Sequence, residues 1–232
     1  VELIEALRTT GAVREFGSEP VSDDVVARVL DNARFAPSGG NRQGWRVIVV
    51  RDPNTRRRLR DLYLDNWYEY LAQSGAGLTP WAAITDRAAE REAIKNAPEI
   101  RAAAAAGPGG FAEHFDETPV LLVVIADLRY LATVDRDLGR YTLVGGASIY
   151  PFVWSVLLAA HEEGLGGVVT TMVIRSEPEA KALLDIPDEM AIAAVVALGH
   201  PVDPQRRARK LTRAPVPAFT SIDRYGGEPF GA

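Results

Sequence analysis

The sequence predicts a three-layer domain, α/β or α+β, with helices on both faces of one sheet. Three observations lead there. Four apolar runs of strand length are spread along the chain, amphipathic or apolar helical stretches lie between them, and no internal repeat breaks the pattern. With 232 residues, 47% of them hydrophobic, the chain buries a core without staples, and it has no cysteine to make one.

Residues 2–10 read as a short helix. Residues 21–36 read as a second, with Ser22 or Asp23 as N-cap and a stripe of Val26, Val29, Leu30 and Ala33. The β-branched run at 45–52 reads as a buried strand. From Pro53 to about Ala72 a long amphipathic helix carries Leu59, Leu62, Tyr63, Trp67, Tyr70 and Leu71 on one side. Residues 74–118 differ in character: an alanine-rich stretch, helical by propensity, is broken by "GPGG". A flap covering Trp67, Trp81, Phe111 and Phe115 and a surface helical hairpin are equally good readings.

Residues 119–128 are the second strand. Residues 142–164, apolar nearly all round, read as a central helix with Pro151 at a kink or in its first turn. A strand at "LGGVVTTMVI", a helix opened by a Ser176–Glu179 capping box, and a strand at "EMAIAAVVALGHP" complete the order. The tail from 202 reads as extended. Tyr150 and Trp154 are assigned to the core, His114 to a surface loop, and Asp127 to capping the turn after its strand.

Composition narrows the function. A net charge of −5 gives no reason to expect nucleic acid, and the apolar runs are too short to span a bilayer. No secretory pattern is read at the start, and the lack of cysteine fits a reducing cytoplasm. His114, His161 and His200 lack metal-ligand spacing. Walker A, GxGxxG and nucleophile-elbow motifs are missing, so difficult chemistry would come from a cofactor. Three small, polar stretches abut strands: "RTTGAVREF", "APSGGNRQGW" and "GLGGVVTTM". Five cations follow in the tail, Arg206, Arg207, Arg209, Lys210 and Arg213, a set suited to phosphate or simply a solvated charge run.

Taken in order, these elements resemble the FMN-dependent nitroreductase family from about residue 5 to 215. The matches are Arg14-x-Phe16 after the first helix, "APSGGNRQGW" before a strand, "GLGGVVTTM" after the central helix, and "ALGHP" followed by a tail arginine. The resemblance implies an α+β fold of three layers around a mixed, mainly antiparallel sheet. It also implies one domain over 1–232, with a helical lid or insertion at about 66–118. FMN is the implied cofactor, NAD(P)H the electron donor, and a homodimer the implied assembly with flavin between subunits. Arg14 and Arg213 would hold the ribityl phosphate. Ser38, Gly39, Gly40, Asn41 and Gln43 would line the flavin from the other subunit. Gly166, Gly167, Thr170 and Thr171 would lie against the pyrimidine edge and N5, where a threonine hydroxyl tunes the ring.

Two departures stand out. Where the family has Arg-Arg-Ser, this chain has Thr10-Gly11-Ala12. Each lost charge-assisted hydrogen bond costs about 1.5–3 kcal/mol of cofactor affinity, unless Arg8, Arg209 or Lys210 substitutes. Gly44 replaces the family's proline. The leading function is hydride transfer from NAD(P)H through flavin to a nitroaromatic, quinone or activated alkene. The alternatives are a reductive dehalogenase resembling the iodotyrosine-acting branch and a non-catalytic flavin or deazaflavin binder.

Overall fold

The computed structural model describes residues 2–203 and 212–231. At its centre, β1 (Trp45–Val49), β2 (Val120–Asp127), β3 (Gly166–Thr170) and β4 (Met190–Gly199) form an antiparallel sheet in the order β1-β2-β4-β3. The first loop adds a parallel bridge, Ala12 to Gly167, so the β3 edge is mixed. Every residue of β2 is buried. Because side chains alternate along a strand, Leu122, Val124 and Ala126 enter one core and Leu121, Val123 and Ile125 the other.

The first core is covered by α2 (Asp23–Ala33) and α6 (Tyr150–Glu162), the second by α3 (Pro53–Gly75) and α7 (Glu177–Leu183). These are the three layers the sequence predicts. α1 (Leu3–Thr9) packs on α6. Ser22 caps α2, accepting from Val25 N. Asp52 caps α3, accepting from Thr55 N at 2.7 Å, and Pro53 sets its first turn.

Several expectations need correction. β1 is an edge strand and is half-exposed beyond Trp45 rather than buried. The central helix does not begin at 142: residues 144–148 form a 3-10 turn, and α6 starts at Tyr150 with Pro151 in its first turn. Tyr150 and Trp154 are 49% and 40% exposed, so they are surface and not core. β3 stops at Thr170, and residues 172–176 turn into a 3-10 helix. Ser176 makes no capping bond to α7, because its hydroxyl is taken by Asn66 Nδ2 at 2.9 Å. The tail from 212 holds a 3-10 turn at Val216–Ala218 and a closing bond from Ile222 N to Glu228 O, so it is not simply extended.

Between α3 and β2 the chain forms α4 (Arg87–Ile94) and α5 (Ala97–Ala105), both packed on α3. Asp86 caps α4. Fully buried Gln73 accepts from Trp81 N, and Arg101 bonds Asp65 at 2.6 Å. Asp127 does cap the turn after β2, accepting from Arg129 N at 3.1 Å.

Candidate functional site

The loop before β1 holds an unusual backbone. Gly40, Asn41 and Gln43 all have positive φ, at 60°, 54° and 50°. Left-handed non-glycine residues are costly and persist only where their surroundings enforce them. Here Ser38 Oγ accepts from Gln43 N at 3.0 Å, Ser148 Oγ accepts from Gly39 N at 3.0 Å, and Gln43 Nε2 reaches Asn41 Oδ1 at 3.3 Å. Trp45 anchors the loop, stacked on Phe152 at 4.9 Å between ring centroids. A Cβ at Gly44 would lie 3.1 Å from Tyr130 Cβ, a tight contact to which Tyr130 would have to yield by a few tenths of an ångström.

The β3 side is built differently. Val13 N donates to Gly167 O at 2.8 Å, which lays the first loop along the strand. A Cβ on Gly166 would strike Val13 at 2.7 Å, and one on Gly167 would strike Leu198 at 2.4 Å. Both glycines are therefore required by packing, whatever else they touch. Thr170 is 8% exposed and turned toward α3, whereas Thr171 is exposed with no side-chain hydrogen bond among the described residues. Arg14 is exposed and makes no ion pair among the described residues. Thr10 Oγ1 is buried without a partner at one of the positions where charge is missing.

Between the first loop, α3 and residues 109–119 lies a cavity of about 1010 Å³. Arg14, Phe16, Tyr63, Trp67, Phe111 and His114 are on its walls. Burial pushes the Tyr63 phenol up, opposed by a hydrogen bond with Thr170 and by the charge of Arg14. Tyr63 thus joins two residues named from the sequence, where its i, i+4 spacing with Trp67 marked it only as core. Ser148, the support of Gly39, had no signal in the sequence at all.

The structure gathers Arg14, Gly166, Gly167 and Thr170 at the β3 edge, and Ser38, Gly39, Gly40, Asn41 and Gln43 at the start of β1. In the order β1-β2-β4-β3 those strands are three spacings apart, about 14 Å. Arg213 bonds only its neighbour Thr212 O among the described contacts. Arg206, Arg207, Arg209 and Lys210 lie outside the described residues. Among those described, no group of three or more His, Cys, Asp or Glu could hold a metal, and no helix is long and apolar enough to cross a membrane.

Comparison with known proteins gives consistent results. The Nitroreductase family model matches residues 7–200. An NADH dehydrogenase of Thermus thermophilus is 28% identical over 193 residues, covering 83% of each chain. Iodotyrosine deiodinase 1 of Rattus norvegicus is 23% identical over 201 residues, 86% of this chain, which spans 62% of that relative's length. Among solved structures, a BluB-like flavoprotein from Clostridium difficile superposes with a TM-score of 0.66 at 19% identity, covering 97% of this chain and 100% of that one. The NADPH:FMN oxidoreductase from Vibrio harveyi, solved with NAD+, gives a TM-score of 0.63 at 19% identity, covering 96% of this chain and 77% of that one.

Proposed function

Because the chain belongs to the nitroreductase family, we propose that it is an FMN-dependent oxidoreductase drawing electrons from NAD(P)H. The observation that carries this reading is a set of uncommitted polar groups on the first loop and at the end of β3, of which Arg14 lines the cavity. Arg14 lacks an ion pair, Thr171 lacks a side-chain partner and Thr10 Oγ1 is buried unpaired, all among the described residues. Groups left open in this way suit a polar, anionic ligand held by hydrogen bonds.

Bound FMN would accept hydride from NAD(P)H and pass it to a nitroaromatic, a quinone or an activated alkene. The chain's own part is to bind and orient. Arg14, with Arg213 from the tail, would neutralise the phosphate. Gly166 and Gly167 let Val13 and Leu198 pack closely on β3, which holds the first loop with Arg14 against the strand. The Thr171 hydroxyl would donate near the reacting edge of the ring, and Thr170 would hold its neighbourhood in place.

Ser38, Gly39, Gly40, Asn41 and Gln43 lie on the other edge of the sheet, so a second copy would bring them to the same ring. A cytoplasmic homodimer with two flavins at its interface is the assembly we infer. A second reading is a reductive dehalogenase, favoured by the similarity to iodotyrosine deiodinase 1 and by α4 and α5 packed beside the cavity-lining helix α3.

Reconstitution tests the proposal. Purified protein loaded with FMN and desalted should keep its visible flavin absorption, and NADH or NADPH should bleach it without oxygen. Retained flavin that neither nicotinamide reduces would favour the dehalogenase reading. Loss of all flavin on desalting would refute both.

A further inference from the structure

Four residues past Thr171, Arg175 carries its guanidinium with little to hold it. It makes no hydrogen bond among the described residues, and its contact with Glu69 Oε2 is 3.9 Å long. Both side chains are partly in solvent, where so long an ion pair contributes little. What seats the cation is an aromatic face: its Cζ lies 5.0 Å from the centroid of the Trp81 ring.

Trp81 occupies that place at a cost. Its φ is 50°, left-handed backbone that a bulky side chain seldom adopts. Its indole Nε1 is buried without an acceptor among the described residues, and an indole N–H can only donate. The chain enforces this placement from α3, where fully buried Gln73 accepts from Trp81 N at 3.1 Å. Strain held by a dedicated partner points to a residue placed for function and not for stability.

Trp81 and Arg175 close one end of an aromatic row. Trp67 is on the cavity wall with Arg14, it stacks on Tyr70 at 5.3 Å, and Tyr70 meets Trp81 at 6.1 Å. All three rings keep some exposed surface. Arg175 belongs to the 3-10 turn that follows Thr171, about 8 Å further along at 2 Å per residue. A flat row ending in a loosely paired cation fits a planar aromatic molecule with an acidic group at its far end.

We propose that Arg175 is a specificity-determining residue that binds the carboxylate of a planar aromatic electron acceptor, and that Trp81 is the positioning residue that seats the guanidinium for it. This rests on the flavin reading above. The guanidinium fork takes a carboxylate through two parallel hydrogen bonds, which displaces the long contact with Glu69. The ring of the acceptor lies along Tyr70 and Trp67, with its reducible group toward Thr171.

The test is equilibrium dialysis of 4-nitrobenzoate and 4-nitrobenzamide against FMN-loaded enzyme with no nicotinamide present. The two probes share an outline and differ in charge. Wild type should bind the benzoate about tenfold more tightly, a preference that shrinks as salt rises. Arg175→Gln should abolish the preference by weakening the benzoate alone, and Arg175→Lys, with the charge but not the fork, should keep about threefold. Trp81→Leu should also cut it to about threefold. Where that variant fails to fold, Trp81→Phe, with a weaker ring face, should cut it to about fivefold. Equal binding of the two probes by the wild type, no binding of either, or a preference that survives Arg175→Gln overturns the proposal while the flavin reading stands. A preference that the Trp81 variant leaves unmoved overturns the positioning role. Wild-type protein that takes up no FMN overturns the flavin reading, and the acceptor site with it.

Discussion

Thr170 and Thr171 are neighbours in the chain with opposite surroundings. Strand alternation turns Thr170 into the α3 layer against Tyr63, and the end of β3 leaves Thr171 in the open. The same contrast separates the other candidates by what holds them. Arg14 is uncommitted among the described residues, so its replacement should act on the ligand. Arg14→Ala should weaken FMN binding roughly tenfold to a hundredfold, as expected for one charge-assisted hydrogen bond of about 1.5–3 kcal/mol. Fluorescence titration reads this directly, and a change under threefold would remove Arg14 from the site. Gly167 is committed to packing. Gly167→Ala would press a methyl group onto Leu198 and to 2.9 Å from the Ala197 carbonyl, which is backbone and yields little. A loss of about 1–3 kcal/mol should follow, seen as a lower melting temperature with or without FMN. At this scale the sequence singled out Gly167 for one reason and the structure supplies another. "GLGG" pointed to a flavin edge, but the contacts with Val13 and Leu198 become visible only once β4 and the first loop are in place.

The elements were more legible than their ends. All four strands and the helices between them follow from apolar period, since β-branched runs and helical stripes are local signals. The errors fall where a distant partner decides. The Ser176 hydroxyl leaves its capping position for Asn66, on a helix 110 residues earlier in the chain. α6 starts late because residues 144–148 turn to meet the loop before β1, where Ser148 holds Gly39. In the segment after α3, His114 acts as a clamp on the "GPGG" turn. Its Nε2 faces Pro108 O at 2.9 Å and its Nδ1 faces Glu117 Oε1 at 3.2 Å, with Glu113 beside it. Both partners accept, so both ring nitrogens are satisfied only in the protonated ring. The Pro108 carbonyl, then Glu117, hold the imidazole above its ordinary range. A raised folded value means that the stabilisation is complete below the unfolded value, about 6.5, and fades as pH rises through the folded one. The melting-temperature gap between wild type and His114→Ala should be widest near pH 6 and shrink steadily above pH 7. A gap that stays flat from pH 5.5 to 8.5 would mean that the ring is not held as a cation.

For the whole molecule, the decisive fact is that the two candidate half-sites occupy opposite edges of one sheet. Helices cover both faces of that sheet, so no motion within a compact chain brings the edges together. Apolar surface remains where a second copy would dock: Leu3, Ile4 and Leu7 on α1 are exposed, as are Tyr150 and Trp154 on α6, the helix against which α1 packs. The assembly should therefore sediment at twice the 25.2 kDa chain mass. Mixing variants tests the sharing of sites, not just the mass. Arg14→Ala damages the β3 half-site. Asn41→Gly with Gln43→Gly strips the other half while keeping left-handed backbone accessible. Each variant alone has two damaged sites per dimer. Unfolded and refolded together in equal amounts, half of the dimers would be hybrids, each with one site carrying both defects and one with neither. Tight FMN binding should thus return to about a quarter of the wild-type sites, as two-fold symmetry requires. If both halves of a site came from the same chain, mixing would restore none of it.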